Sequence, residues 1–243
     1  MNAADPLAGA VFVLGAWWAS TAAVLALVFR RTGVALVSVL AVAGVFGLWS
    51  SSRSAGTGAA YVAFASALLV WAWHELMFLL GVIAGPRRVA MTAGVKGWAR
   101  FREATLAVLH HELSLAVTLA AVVALTWGQP NQAGTGTFAV LWVMRLAAKL
   151  NVFTGVRNFN DELVPEHLRY LSSYFRRARW NPMLLATIAV SGVAGVWLWR
   201  DARGVGQVMV ATLLGLGVLE HVFLAVPLPD AALWRWVTRT EAP

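Results

Sequence analysis

Nine ionisable side chains interrupt the apolar stretches of this chain: His74 and Glu75, His110, His111 and Glu112, Arg145 and Lys149, and Glu220 and His221. Three kinds of chemistry suit them. Imidazole nitrogen and carboxylate oxygen are ligands for iron, manganese or zinc, and bundle-core di-metal centres take Glu and His from neighbouring helices. His74, Glu75, His111, Glu112, Glu220 and His221 are then the candidate metal ligands. Against this stands the lack of a Glu-x-x-His pair in these stretches, the spacing that lets one helix chelate through two residues. Five histidines in all are also too few for a multi-histidine hydroxylase centre. In the second reading a histidine serves as axial ligand or hydrogen-bond donor to a tetrapyrrole or quinone, with Trp71, Trp73 or Trp142 along the ring. In the third the groups satisfy one another. Glu75, Glu112 and Glu220 bring three negative charges and Arg145 and Lys149 two positive ones, so one protonated histidine or one neutral glutamic acid balances the set. Such a network fixes helix packing or moves a proton.

Arg145 and Lys149 are four residues apart and share a helix face, with Asn151 following within a turn. Together with Trp71, which lies three residues before His74, they are the candidates for contact with an organic cofactor. The cations either neutralise the carboxylates or meet an anionic group such as a propionate. Adjacent helical residues point about 100° apart, so a His-Glu pair turns both groups into one interior only if it straddles the inward face.

These groups must be positioned by membrane-spanning helices. With 60% hydrophobic and 12% charged residues, the chain departs far from soluble composition. Its formal charge of +8 sits in short clusters between apolar runs, a pattern that orients membrane proteins and argues against nucleic acid as a partner. There are no cysteines, which excludes disulfides, thiolate-held iron-sulfur clusters and thioether-linked haem. The start, MNAADPLAG, lacks the basic region of a secretory signal, so the first apolar run is expected to remain as a helix. An all-α fold follows, a single membrane domain with spans near 8–29, 33–50, 59–84, 101–127, 135–156, 182–199 and 204–226. No internal repeat is evident.

Fourteen basic residues fall in the connections on one side of these spans and three, Arg53, Arg200 and Arg203, on the other. The N-terminus is therefore expected outside and the C-terminus in the cytoplasm. On that topology the His and Glu groups lie in one layer, about 8 to 15 Å inside the cytoplasmic face. Trp49, Trp127, Trp180, Trp197 and Trp199 mark helix ends at headgroup level. The cytoplasmic loop 157–181 repeats Leu168, Leu171 and Phe175 at helical spacing after Pro165. It predicts an amphipathic helix on the anionic lipid surface, either closing the bundle or covering a site with Asp161, Glu162, Glu166 and His167. Gly81 and Gly85 form a small-xxx-small pair that suits close approach of a neighbouring backbone, expected within the chain, with another subunit as the alternative. The segment DAALWRWVT, with Trp234, Arg235 and Trp236, predicts a short interfacial helix.

Several ordered blocks carry a family resemblance: HELMFLLGVIAGPRR from His74, HHELSLA from His110, KLNVFTGVRN from Lys149, VPEHLRYLSSYF from Val164 and LEHVFLAVPLPDAALW from Leu219. From about His74 to Trp236 the chain resembles the PuhE family, photosynthetic complex assembly protein 2 of phototrophic bacteria. The resemblance implies a multi-pass inner-membrane protein that supports assembly of the reaction centre and its light-harvesting antenna, or bacteriochlorophyll supply. Membrane lipid, reaction-centre or antenna subunits, and a pigment or quinone would be its partners. It implies no reaction. A binding or assembly factor would hold a pigment, quinone or partner helix at the His/Glu layer. A membrane-embedded di-metal oxidoreductase would act there on a tetrapyrrole or isoprenoid.

Overall fold

A computed structural model describes residues 4–30, 32–159 and 164–226. Among them are seven helices long and apolar enough to cross a membrane: α1 (Ala4–Arg30), α2 (Val34–Ser52), α3 (Thr57–Leu79), α4 (Gly97–Thr126), α5 (Ala133–Thr154), α6 (Pro182–Arg200) and α7 (Val205–Ala225). The fold is all-α and multi-pass. Arg31, Asp161, Glu162, Trp234, Arg235, Trp236 and Arg239 lie outside the described residues.

Helices α3, α5 and α7 form the centre. α1 packs across α3 and α7, α2 lies along α3, α4 leans on α5 and α2, and α6 flanks α7. Val13, Phe64, Ala133, Met209 and Leu213 from four helices meet in one buried cluster. The outer surface is apolar as well. On α6, Val190, Val193 and Val196 are exposed and only Leu184 is buried, the pattern of a helix that spends its outer face on lipid.

Six spans agree with hydropathy to within about four residues. The third does not: α3 stops at Leu79 although the apolar run continues through Val82 and Ile83. The cause is a left-handed Gly81, at φ 75°. Its N–H donates to Phe78 O and that of Val82 to Met77 O, the paired bonds that close a helix through glycine. The chain then crosses α4 at contact distance, with His111 N–H donating to Ala84 O and Arg87 N–H to Leu106 O. A Cβ on Gly85 would stand 2.2 Å from Leu106 O, so only glycine fits. Gly85 thus makes the intrachain approach expected of it.

The segment Glu166–Tyr174 is a 3₁₀ helix, not the α-helix expected on the lipid surface. With three residues per turn, Leu168, Leu171 and Tyr174 share a face and bury it against Phe78, Ala84 and Ala107. His167 donates from Nε2 to Leu79 O at 2.9 Å, tying this segment to the end of α3. Arg100 donates to the carbonyls of Phe153 and Tyr174, and Arg87 reaches the Tyr174 hydroxyl and pairs with Glu103. Burial at Tyr170 raises its phenol above the ordinary tyrosine range. Asn181 joins two helix ends: its Oδ1 accepts from Met183 and Leu184 N–H at the start of α6, and its amide donates to Gly155 O and Thr154 Oγ1 at the end of α5.

Candidate functional site: a charged cavity

Helical spacing selects which groups look inward. On α3 the stripe Leu68, Ala72, Glu75 and Leu79 lines a large cavity, and on α7 so does Leu213, Gly217, Glu220 and Leu224. From α5 come Arg145 and Lys149, from α4 Glu112. The cavity holds about 740 Å³, with walls that are mostly apolar and aromatic, and its floor is the 3₁₀ segment through Leu168 and Leu171. Its charged groups lie nearer one end of the bundle. Glu75 is four residues from the end of α3 and Glu220 five from the end of α7, about 6 and 8 Å.

Two ion pairs dominate. Arg145 donates to Glu75 Oε2 at 2.9 Å, and Lys149 to Glu112 Oε1 at 2.5 Å. Trp142 donates its indole N–H to the other oxygen of Glu112 at 3.1 Å. Phe78 meets two partners: the His111 ring lies tilted against it with centroids 4.4 Å apart, and Lys149 Nζ stands 4.9 Å from its ring centroid. Glu220 stands within electrostatic reach of Arg145, Glu75 and the Trp17 side chain. Among the described residues it makes no ion pair.

The histidines stand apart from the cavity. His74 donates from Nδ1 to Val70 O, one turn back on its own helix, at 2.9 Å and accepts at Nε2 from Thr118 on α4 at 3.0 Å, so both nitrogens are used. His221 donates from Nδ1 to Gly217 O, one turn back on its own helix. His110 is exposed on the outer face. Among the described residues His111 is the histidine that approaches a carboxylate, with Nε2 3.7 Å from Glu75 Oε1. In each pair the glutamate faces inward and the histidine turns about 100° away, as adjacency on a helix requires. The expected convergence of six ligands therefore does not occur. Glu75, Glu112 and Glu220 share the cavity; His74 and His221 leave it, and His111 lies behind Phe78. Among the described residues no three His, Cys, Asp or Glu side chains are grouped as a metal would need. The donor geometry does not fit a di-metal centre, since two of the three carboxylates are spent on cations.

Asn151, expected beside the cations, faces the other way: it is fully buried, donates to Thr187 on α6 and accepts from Asn181. Trp71 does line the cavity, with its ring edge-on to Phe138. Two contributors escaped sequence reading. Phe78 sits three residues after Glu75, a spacing that signals a common face. Trp17 carries no such signal, because only the packing of α1 against α7 brings it to Glu220.

The protein is thus a polytopic helical membrane protein with a charge-lined cavity toward one end of its bundle. It belongs to the DUF3623 family, described as a protein of unknown function, whose profile matches residues 3–243. A protein of Rhodobacter capsulatus described as an uncharacterized 30.4 kDa protein in the puhA 5′ region is 35% identical over 250 residues, which cover 96% of this chain and 91% of that one. No solved structure matches.

Proposed function

We propose that this chain is a PuhE-type inner-membrane factor that supports assembly of the photosynthetic reaction centre and antenna, or their bacteriochlorophyll supply, by holding a hydrophobic ligand in the cavity. The position of the Rhodobacter capsulatus relative in the puhA 5′ region supports the photosynthetic setting. The cavity carries the molecular part. A space of about 740 Å³ with apolar walls and a few fixed polar groups has the size and chemistry of a small-molecule site, and its place among spanning helices suits a ligand drawn from the bilayer. The charged groups then orient the head of a pigment, pigment precursor or quinone, while Trp17, Trp71 and Phe78 meet its apolar body.

Deletion in a phototrophic host tests this. Loss of the chain is expected to lower reaction-centre and antenna absorbance, with recovery by the wild-type chain and not by Glu112→Ala present at equal level in the membrane. Full complexes in the deletion strain, or full rescue by Glu112→Ala, would refute the proposal. Solvent extracts, absorbance and elemental analysis of the natively expressed protein would identify what it carries.

A further inference from the structure

The charged groups of the cavity are unequal in what they have left to offer. Each cation contacts one carboxylate, Arg145 through a single Nη to Glu75 and Lys149 through Nζ to Glu112, while Arg145 Nε makes no hydrogen bond. Lys149 is further held over the Phe78 ring, and Glu112 by Trp142. An anionic head entering this space would meet three carboxylates against two cations, each cation already beside one of them. Glu220 differs: it lines the same cavity, is an exposed residue, and among the described residues makes no ion pair, which leaves its acceptor positions open to a donor. The described set therefore has three carboxylates and two cations, with the surplus at Glu220. With Glu220 ionised the set carries one negative charge in excess, which repels an anionic head and attracts a hydrogen-bond donor.

We infer that the cavity takes an amphiphile whose head donates hydrogen bonds, a hydroxyl or an amine on an apolar body, with Glu220 as the accepting group, and that it discriminates against carboxylate heads. This rests on the cavity reading above and specifies its ligand class. It sets aside the propionate contact entertained for Arg145 and Lys149. The polar groups of the wall then divide into two sets: the Arg145–Glu75 and Lys149–Glu112 pairs are fixed scaffolding, and the Trp17–Glu220 corner is where the head docks.

Calorimetric titration of the full chain in neutral maltoside micelles, with dodecanol, dodecylamine and dodecanoate, holds the apolar body constant while the head varies. The alcohol and the amine are expected to bind the wild-type chain at least tenfold more tightly than the carboxylate. In Glu220→Leu that preference should vanish, and in Glu220→Gln the alcohol should keep its affinity while the amine loses at least fivefold, because an amide accepts hydrogen bonds without charge. The ranking on the wild-type chain needs no variant, so it stands even if Glu220→Leu fails to fold. Dodecanoate binding as tightly as the other two, or a folded Glu220→Leu that keeps the wild-type ranking, would overturn the inference and leave the cavity reading intact. Binding of none of the three would overturn both.

Discussion

Replacing Lys149 by methionine isolates what the sheltered ion pair is worth. Its Nζ meets Glu112 Oε1 at 2.5 Å, and the two side chains retain only 21% and 18% of their exposure. Methionine keeps the stem and removes the charge, leaving Glu112 with a single neutral donor, Trp142. Breaking a buried pair from one side costs about 3–5 kcal/mol, and because the cavity partly opens both groups the lower end applies, about 3 kcal/mol. That corresponds to about a hundredfold in the unfolding equilibrium. The double variant Lys149→Met/Glu112→Gln should return to within about 1 kcal/mol of wild type, since the amide still accepts from Trp142 and no charge is stranded. Reversible unfolding in mixed maltoside and dodecyl sulfate micelles, read as a double-mutant cycle, gives the coupling directly. A loss below about 1 kcal/mol in Lys149→Met, or a double variant as damaged as the sum of the two singles, would show that this pair does not hold the bundle as described.

In the same assay Gly85→Ala should cost about 2 kcal/mol, because its Cβ would meet backbone atoms of Leu106 and Ala107 that cannot move aside, whereas Gly58→Ala, with open space around it, should stay within about 0.5 kcal/mol. Equal effects would refute the close crossing of α4. The native chain has no cysteine, so single cysteines report orientation without background. An impermeant maleimide applied to intact spheroplasts should label Arg53→Cys and reach Arg169→Cys only after permeabilisation; the reverse pattern would invert the expected topology.

Much of this architecture is legible in the sequence, because lipid demands about 20 apolar residues per span and the chain supplies them in seven blocks. The third span shows where that reading fails. Leu80, Val82 and Ile83 are as apolar as the helix before them, and hydropathy is blind to the left-handed turn that Gly81 imposes. The loop helix fails differently. Leu168 and Leu171 with Phe175 fit an α-helix, yet with Tyr174 they fit three residues per turn, and tertiary burial chose the latter. The carboxylates and cations of the site were visible as charges in apolar surroundings. Which member of each His-Glu pair faces inward depends on the rotation of each helix about its axis, and a pair of adjacent residues does not encode that by itself. The contribution of Trp17 depends on contact between the first and last spanning helices, which is the least local information in the fold.

The division of the ion pairs between early and late helices bears on how the bundle is made. Glu75 precedes Arg145 by 70 residues and Glu112 precedes Lys149 by 37. At about 5–20 residues per second, a ribosome delivers the first cation about 4 to 14 s after the carboxylate it will neutralise. During that interval α3 and α4 are made without the cations that pair with their acids in the finished fold. Arrival of α5 ends the wait for both helices together, because its two cations reach back to one acid on each. The fifth helix thus acts as a clasp that closes both pairs at once, after which the 3₁₀ segment and the last helix complete the cavity.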